Sequence, residues 1–231
     1  MNDLPENLFA NAVWHALQSK HSHLALSAGE ASRYPADVAP FAAVATPSIS
    51  ALQSLHSLLT PNEYVWLIGE SYPSISELSC LGTLMCLQMV LPDEIVPPTP
   101  ISNIVPISCA NANEMVALTD IAFPGFFRSR TCAMGSYYGI RSGDGQLIAM
   151  AGERLILSGY PEISGVCTHP SHRGKGYAAS LIWRVAQDHR REGLVPWLHV
   201  SAENHHAIEL YRRMGFREVR RVKLHRIQRN D

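Results

Sequence analysis

The chain is 231 residues long, enough for one large domain or two small ones. Hydrophobic residues make up 46% and charged residues 17%, which excludes general disorder. No apolar run reaches the ~18–20 residues of a membrane-spanning helix; the longest, 81–91, is interrupted by Gly82, Thr83 and Gln88. The net charge of -1 conceals a split. Through residue 150 there are five Lys and Arg against twelve Asp and Glu; from 151 onward there are fourteen against eight. A basic second half fits an anionic partner, either nucleic acid or a phosphate-bearing cofactor, and equally fits a solvated arginine-rich surface. The opening MNDLPENLF puts acids where a secretory leader carries basic residues, so a cytoplasmic protein is expected. Cys80, Cys86, Cys109, Cys132 and Cys167 are odd in number and lack a CxxC pair, so reduced, buried thiols are expected.

In chain order, HLALSAG (23–29) and FAAVAT (41–46) predict strands. SISALQSLHSLL (48–59) places Leu52, Leu55, Leu58 and Leu59 on one helical face. EYVWLIGE (63–70) and LGTLMCLQMVL (81–91) predict buried strands. The segment 91–107 holds too many prolines for a regular element and is the expected linker. Beyond it, 110–123 predicts a helix with Asn111 or Asn113 as N-cap, and two strands flank Gly143-Asp144-Gly145. PEISGVCTHP predicts a strand that runs into a glycine loop and a long helix, 173–193, with Gly193 ending it. A strand (PWLHVSAEN), a short helix (HHAIELYRRM) and a last strand (FREVRRVKLHRI) complete the order.

The glycine loop carries the chemistry. A strand delivers the chain to Pro170, and Gly174 and Gly176 then open a helix whose first amides lack intrahelical partners, a cradle for an anion. Arg173 and Lys175 add charge, and Ala178 keeps the next turn small. A P-loop is excluded because His169 stands where its first glycine is needed. Gly174, Gly176 and Ala179 nominally satisfy GxGxxA, but that motif opens a series of βα units and only 52 residues follow Ala179.

RGKGYA fits [R/Q]xxGx[G/A], with Arg173, Gly176 and Ala178 at the defined positions, and so resembles the GNAT superfamily of acyl-CoA-dependent N-acyltransferases. SAENHHAIELYRRMGF is similar to a later motif of that family, through Asn204, Ala207, Tyr211, Gly215 and Phe216. The resemblance covers roughly 110–225 and is greatest to a glycine-acyltransferase-like or FR47-like arrangement. It implies an α/β (α+β) GNAT fold, a central mixed, mostly antiparallel sheet flanked by helices, preceded by a smaller degenerate GNAT-like α/β domain. Residues 1–100 are then an N-terminal α/β partner domain and 101–231 the acetyltransferase domain.

The same resemblance assigns roles. Val166, Cys167 and Thr168 would present backbone groups to a pantetheine arm, the N–H near Val166 bonding the thioester oxygen. Arg173, Gly174, Lys175, Gly176, Tyr177, Ala178 and Ala179 would hold a pyrophosphate. Asn204 would bond the pantetheine, cap its helix, or do both. Tyr211 would protonate the leaving thiolate; the other reading is a Tyr packed on a helix face. Glu162 would be the general base, or a solvent-facing residue at a strand start. Cys167 invites an acyl-cysteine scheme, although an interior strand Cys more often packs. His169, His172, His205 and His206 show no metal-site spacing, so no metal is expected.

The expected activity is direct transfer, in a ternary complex, of an acetyl group from acetyl-CoA to a primary amine of a small molecule or amino acid. No nucleic-acid or membrane partner is expected, and the protein would be a monomer or homodimer. A non-catalytic acyl-CoA sensor and a basic nucleic-acid-binding module are the competing readings. FPGFFRSRT (123–131) is a candidate lip for the acceptor: Phe126, Phe127, Arg128 and Arg130 would suit a carboxylate-bearing amine.

Overall fold

The computed structural model describes residues 6–92, 97–98 and 103–231, so 93–96 and 99–102 of the expected linker lie outside the described residues. Eleven strands form one sheet: β1 (Leu26–Ala28), β2 (Ala31–Arg33), β3 (Phe41–Val44), β4 (Tyr64–Ile68), β5 (Leu78–Val90), β6 (Ile104–Ile107), β7 (Tyr137–Arg141), β8 (Leu147–Leu157), β9 (Tyr160–Thr168), β10 (Trp197–Ser201) and β11 (Arg217–Arg229). Their order is β1-β2-β3-β4-β11-β5-β10-β9-β8-β7-β6, with only β3/β4 and β10/β9 parallel. β5 lies between β11 and β10, so the expected boundary at residues 100/101 crosses a shared sheet.

The helices are α1 (Glu6–Ala10), α2 (Ala12–Leu17), α3 (Ile49–Leu58), α4 (Ala112–Ala122), α5 (Tyr177–Arg191) and α6 (His205–Arg213). Sequence patterning explains most of them. Ser48 accepts from the Ala51 N–H and starts α3, whose Leu52 and Leu55 are buried. Leu181, Ile182, Val185 and Ala186 form the buried stripe of α5, and Gly193, at φ +72°, stops it. That stripe packs with Leu198 and Val200 of β10 and Ile208 of α6 into one core. A second core joins Phe9 and Val13 to Leu155, Leu157 and Trp197. Burying each such large side chain contributes about 1.5–3 kcal/mol, so the two cores clamp β10 from both sides.

Four features differ from the sequence-based expectation. The helices α1 and α2 and the strand β2 are additional. Residues 104–107 form a strand despite Pro106, which is tolerated because β6 is a sheet edge and needs no ladder N–H on its open side. Asn111 stands at the start of α4 but its side chain does not cap it; instead Ser108 and Asn111 form a reciprocal box on the preceding turn. The thiols are not all reduced and buried: Cys109 and Cys132 are joined, Cα atoms 5.3 Å apart, and Cys80 is exposed. Among the described residues no helix is long and apolar enough to cross a membrane.

Candidate active site

β9 and β10 meet at a single register pair, Glu162 with Trp197, and diverge from there. Trp197 pins that junction. It is fully buried, donates from Nε1 to the Tyr160 carbonyl at 2.9 Å and meets the Phe9 ring edge-on at 5.0 Å. Beyond the junction β9 and β10 pair no further among the described residues, and the opening forms part of a cavity of about 740 Å³. On its other side β9 slips register against β8 between Met150 and Gly152, a bulge that passes through Gly165 at φ +62°. The bulge sets Gly165 and Val166 opposite the single residue Ala151, and Ile163 through Thr168 line the cavity.

At one end of the gap the chain makes a short turn and enters α5. Gly174 (φ +79°) and Gly176 (φ +76°) occupy left-handed backbone conformations, and Gly176 is the N-cap of α5 without any side-chain cap. A Cβ at either glycine would meet nothing within 4 Å, so conformation rather than crowding demands them. The open space beside these uncapped first-turn amides fits a pyrophosphate, with Arg173 and Lys175 at the rim. Tyr177, Ala178 and Ala179 line the same wall.

Asn204 and Tyr211 face the gap from α6. Asn204 caps the helix by accepting from the Ala207 N–H at 3.1 Å, and it also lines the cavity. Tyr211 packs on Phe216 at 5.8 Å, a contact shaped by the turn at Gly215. Its hydroxyl has no hydrogen-bond partner among the described residues, and the side chain lines the cavity. Burial pushes its pKa up to about 12, so at neutral pH the phenol is protonated and able to donate.

Glu162, expected as a base, is placed otherwise. It is wholly buried and absent from the cavity wall. Its carboxylate accepts from Arg154 Nε (2.9 Å) and Nη2 (2.5 Å), from the Leu155 N–H (3.2 Å) and from His199 Nδ1 (2.7 Å). Burial alone would raise its pKa, but Arg154 and His199 outweigh that and hold it at about 2. So weak a base, with all its lone pairs engaged, anchors its neighbours rather than taking a proton from an amine. His199 bridges Glu162 and Gln88: Nδ1 lies 2.7 Å from the carboxylate and Nε2 3.1 Å from the Gln88 amide nitrogen, which also donates to the Phe9 carbonyl.

Burial pushes Cys167 up to about 12, which disfavours the thiolate that an acyl-cysteine scheme requires. The expected acceptor lip is only half realised. Phe126 lines the cavity and Phe127 is in a core. Arg128 donates to the Phe127 carbonyl and the Tyr64 hydroxyl, and Arg130 pairs with Asp37; neither arginine lines the cavity. Phe123, the first residue of the lip segment, also lines the cavity, and Phe41, Leu84, Cys86 and Arg154, which carry no sequence signal for the site, line its far end. No local motif marks them, because strand register alone brings them together.

The Acetyltransferase (GNAT) family model matches residues 114–216. A crystal structure of a GNAT-family acetyltransferase from Novosphingobium aromaticivorans is 33% identical, with a TM-score of 0.88 over 96% of this chain and 99% of that one. The chain belongs to the GNAT family. A GCN5-related N-acetyltransferase from Kribbella flavida shares the fold at 18% identity, with a TM-score of 0.63 over 100% of this chain and 97% of that one. No curated protein matches the sequence. As a GNAT protein the chain has the mixed, mostly antiparallel, helix-flanked sheet implied by the resemblance, and its family supports acyl transfer.

Proposed function

We propose that the protein is an acetyl-CoA-dependent N-acetyltransferase that acts on a primary amine of a small molecule or amino acid by direct transfer in a ternary complex, in the cytoplasm. The observation that carries this reading is the continuity of one cavity. It runs from the uncapped amides at Gly176, along the bulged edge at Val166, to the unpartnered Tyr211 hydroxyl. Acetyl-CoA would supply the acetyl group as an activated thioester. The amides of 176–179, with Arg173 and Lys175, bind the pyrophosphate. The Val166 N–H stabilises negative charge developing on the carbonyl oxygen. As the amine nitrogen bonds to the carbonyl carbon and the carbon–sulfur bond breaks, Tyr211 would give its proton to sulfur, and the proton shed by the nitrogen would pass through solvent to restore the phenol. Glu162 takes no part in proton transfer; it holds Arg154 and His199 in place.

The experiment is CoA release from acetyl-CoA with a panel of amines, comparing wild type with Tyr211→Phe. Amine-dependent release that the variant loses is the expected result. Release that the variant keeps, or that no amine stimulates, would contradict the reading.

A further inference from the structure

We infer that the acceptor is an amine bearing both a carboxylate and an apolar or aromatic side chain, an amino-acid-like molecule, and that Arg154 selects it. The inference rests on the acetyl-transfer reading above and gives the acceptor class for the same cavity. The end of the cavity remote from the α5 cradle has a wall of Phe41, Leu84, Phe123, Phe126 and Leu224. The rings are ordered: Phe126 stacks on Phe41 at 5.9 Å and on Phe123 at 6.1 Å. Such a surface takes an apolar or aromatic group.

Charge narrows the class. Among the described residues no Asp or Glu lines the cavity, so nothing there pairs with the cation of a simple amine. Arg154 does line it, its guanidinium 4.9 Å over the Phe41 ring. Nε and Nη2 are committed to Glu162, which His199 and the Leu155 N–H also hold. Nη1 donates to no group among the described residues and is not enclosed by protein. The result is a fixed donor beside an aromatic wall, with its orientation set before any ligand arrives. A carboxylate on Nη1 would lay the acceptor's side chain along Phe41 and Phe126. A decarboxylated amine would bring a second positive charge to the same place without an anion. The cation that the sequence placed at Arg128 and Arg130 is therefore supplied from β8.

The test uses matched pairs on the full chain: L-phenylalanine against 2-phenylethylamine, and L-leucine against 3-methylbutylamine, read as CoA release. Hydroxylamine serves as a small nucleophile that needs neither the wall nor the arginine. In the wild type the amino acid of at least one pair is expected to exceed its decarboxylated partner by about tenfold or more in kcat/KM. Arg154→Met alone would strand a buried carboxylate, so the variants are Arg154→Lys and Arg154→Met with Glu162→Gln. Arg154→Lys should keep part of the preference, and the double variant should abolish or reverse it, mainly through KM. Calorimetric acetyl-CoA affinity reports whether each variant folds.

Wild-type turnover of hydroxylamine with no advantage for the carboxylate member of either pair would overturn the inference alone. A preference unchanged in the acetyl-CoA-binding double variant would overturn it as well. A wild type that binds no acetyl-CoA, or transfers to no nucleophile including hydroxylamine, would contradict the acetyl-transfer reading beneath it.

Discussion

The two ends of the cavity are built on different principles. The cradle end comes from one stretch of chain, Val166 to Ala179, and acts through backbone amides exposed by a bulge and two left-handed glycines. The far end draws Phe41 from β3, Leu84 from β5, Phe126 from the loop after α4, Arg154 from β8 and His199 from β10, and acts through side chains. A nucleotide cofactor is invariant in shape, so a local backbone device suffices for it. An acceptor varies, and a wall assembled from distant strands can change one side chain at a time.

The division can be broken most severely at the cradle. Gly176→Glu puts a carboxylate into the proposed pyrophosphate site at a residue with φ +76°, and should weaken acetyl-CoA binding by about two to three orders of magnitude. Thermal melting of the same sample separates that loss from unfolding. Tyr211→Phe, between the two ends, should lower kcat by about 100-fold while leaving the calorimetric acetyl-CoA affinity nearly unchanged.

At the far end Glu162→Gln leaves the buried Arg154 without its anion and should cost about 3 kcal/mol of stability in urea titration. The pH dependence has a definite sign. Glu162's folded pKa, about 2, lies below the ordinary 4.5. Its contribution is therefore complete above about pH 5 and lost as pH falls toward 2. The stability difference between wild type and Gln variant should shrink over that acid window; a difference constant with pH would contradict the assigned ionisation. The smallest effect is expected outside the cavity. Arg130 pairs with Asp37 at 3.2 Å in largely exposed positions, so Arg130→Ala should change stability by less than about 1 kcal/mol. Acceptor KM should not move, and a rise in KM would return the lip to the site.

The same contrast explains what was legible in the sequence. Gly174, Gly176, Asn204 and Tyr211 declare themselves because helix starts, caps and turns are local events with local signatures. Arg154, His199 and Phe41 looked like ordinary strand residues, since only pairing register makes them neighbours. The position of Glu162 on its strand is legible in the sequence, but its burial is not, so a base or a solvent-facing residue is expected there; its side-chain partners Arg154 and His199 are invisible in one dimension. The Cys109–Cys132 pair, 23 residues apart, escaped for the same reason. Pro106 misled in the opposite sense, since proline forbids a central strand but not an edge.

The central claim is that the cleft between β9 and β10 holds acetyl-CoA on the α5 amides. Calorimetric titration of the protein with acetyl-CoA, beside Gly176→Glu, tests it most directly. Saturable binding in the wild type and none in a folded variant is the predicted result. Wild-type protein that takes up no heat, or a variant that binds equally well, would mean that the cradle does not hold the cofactor.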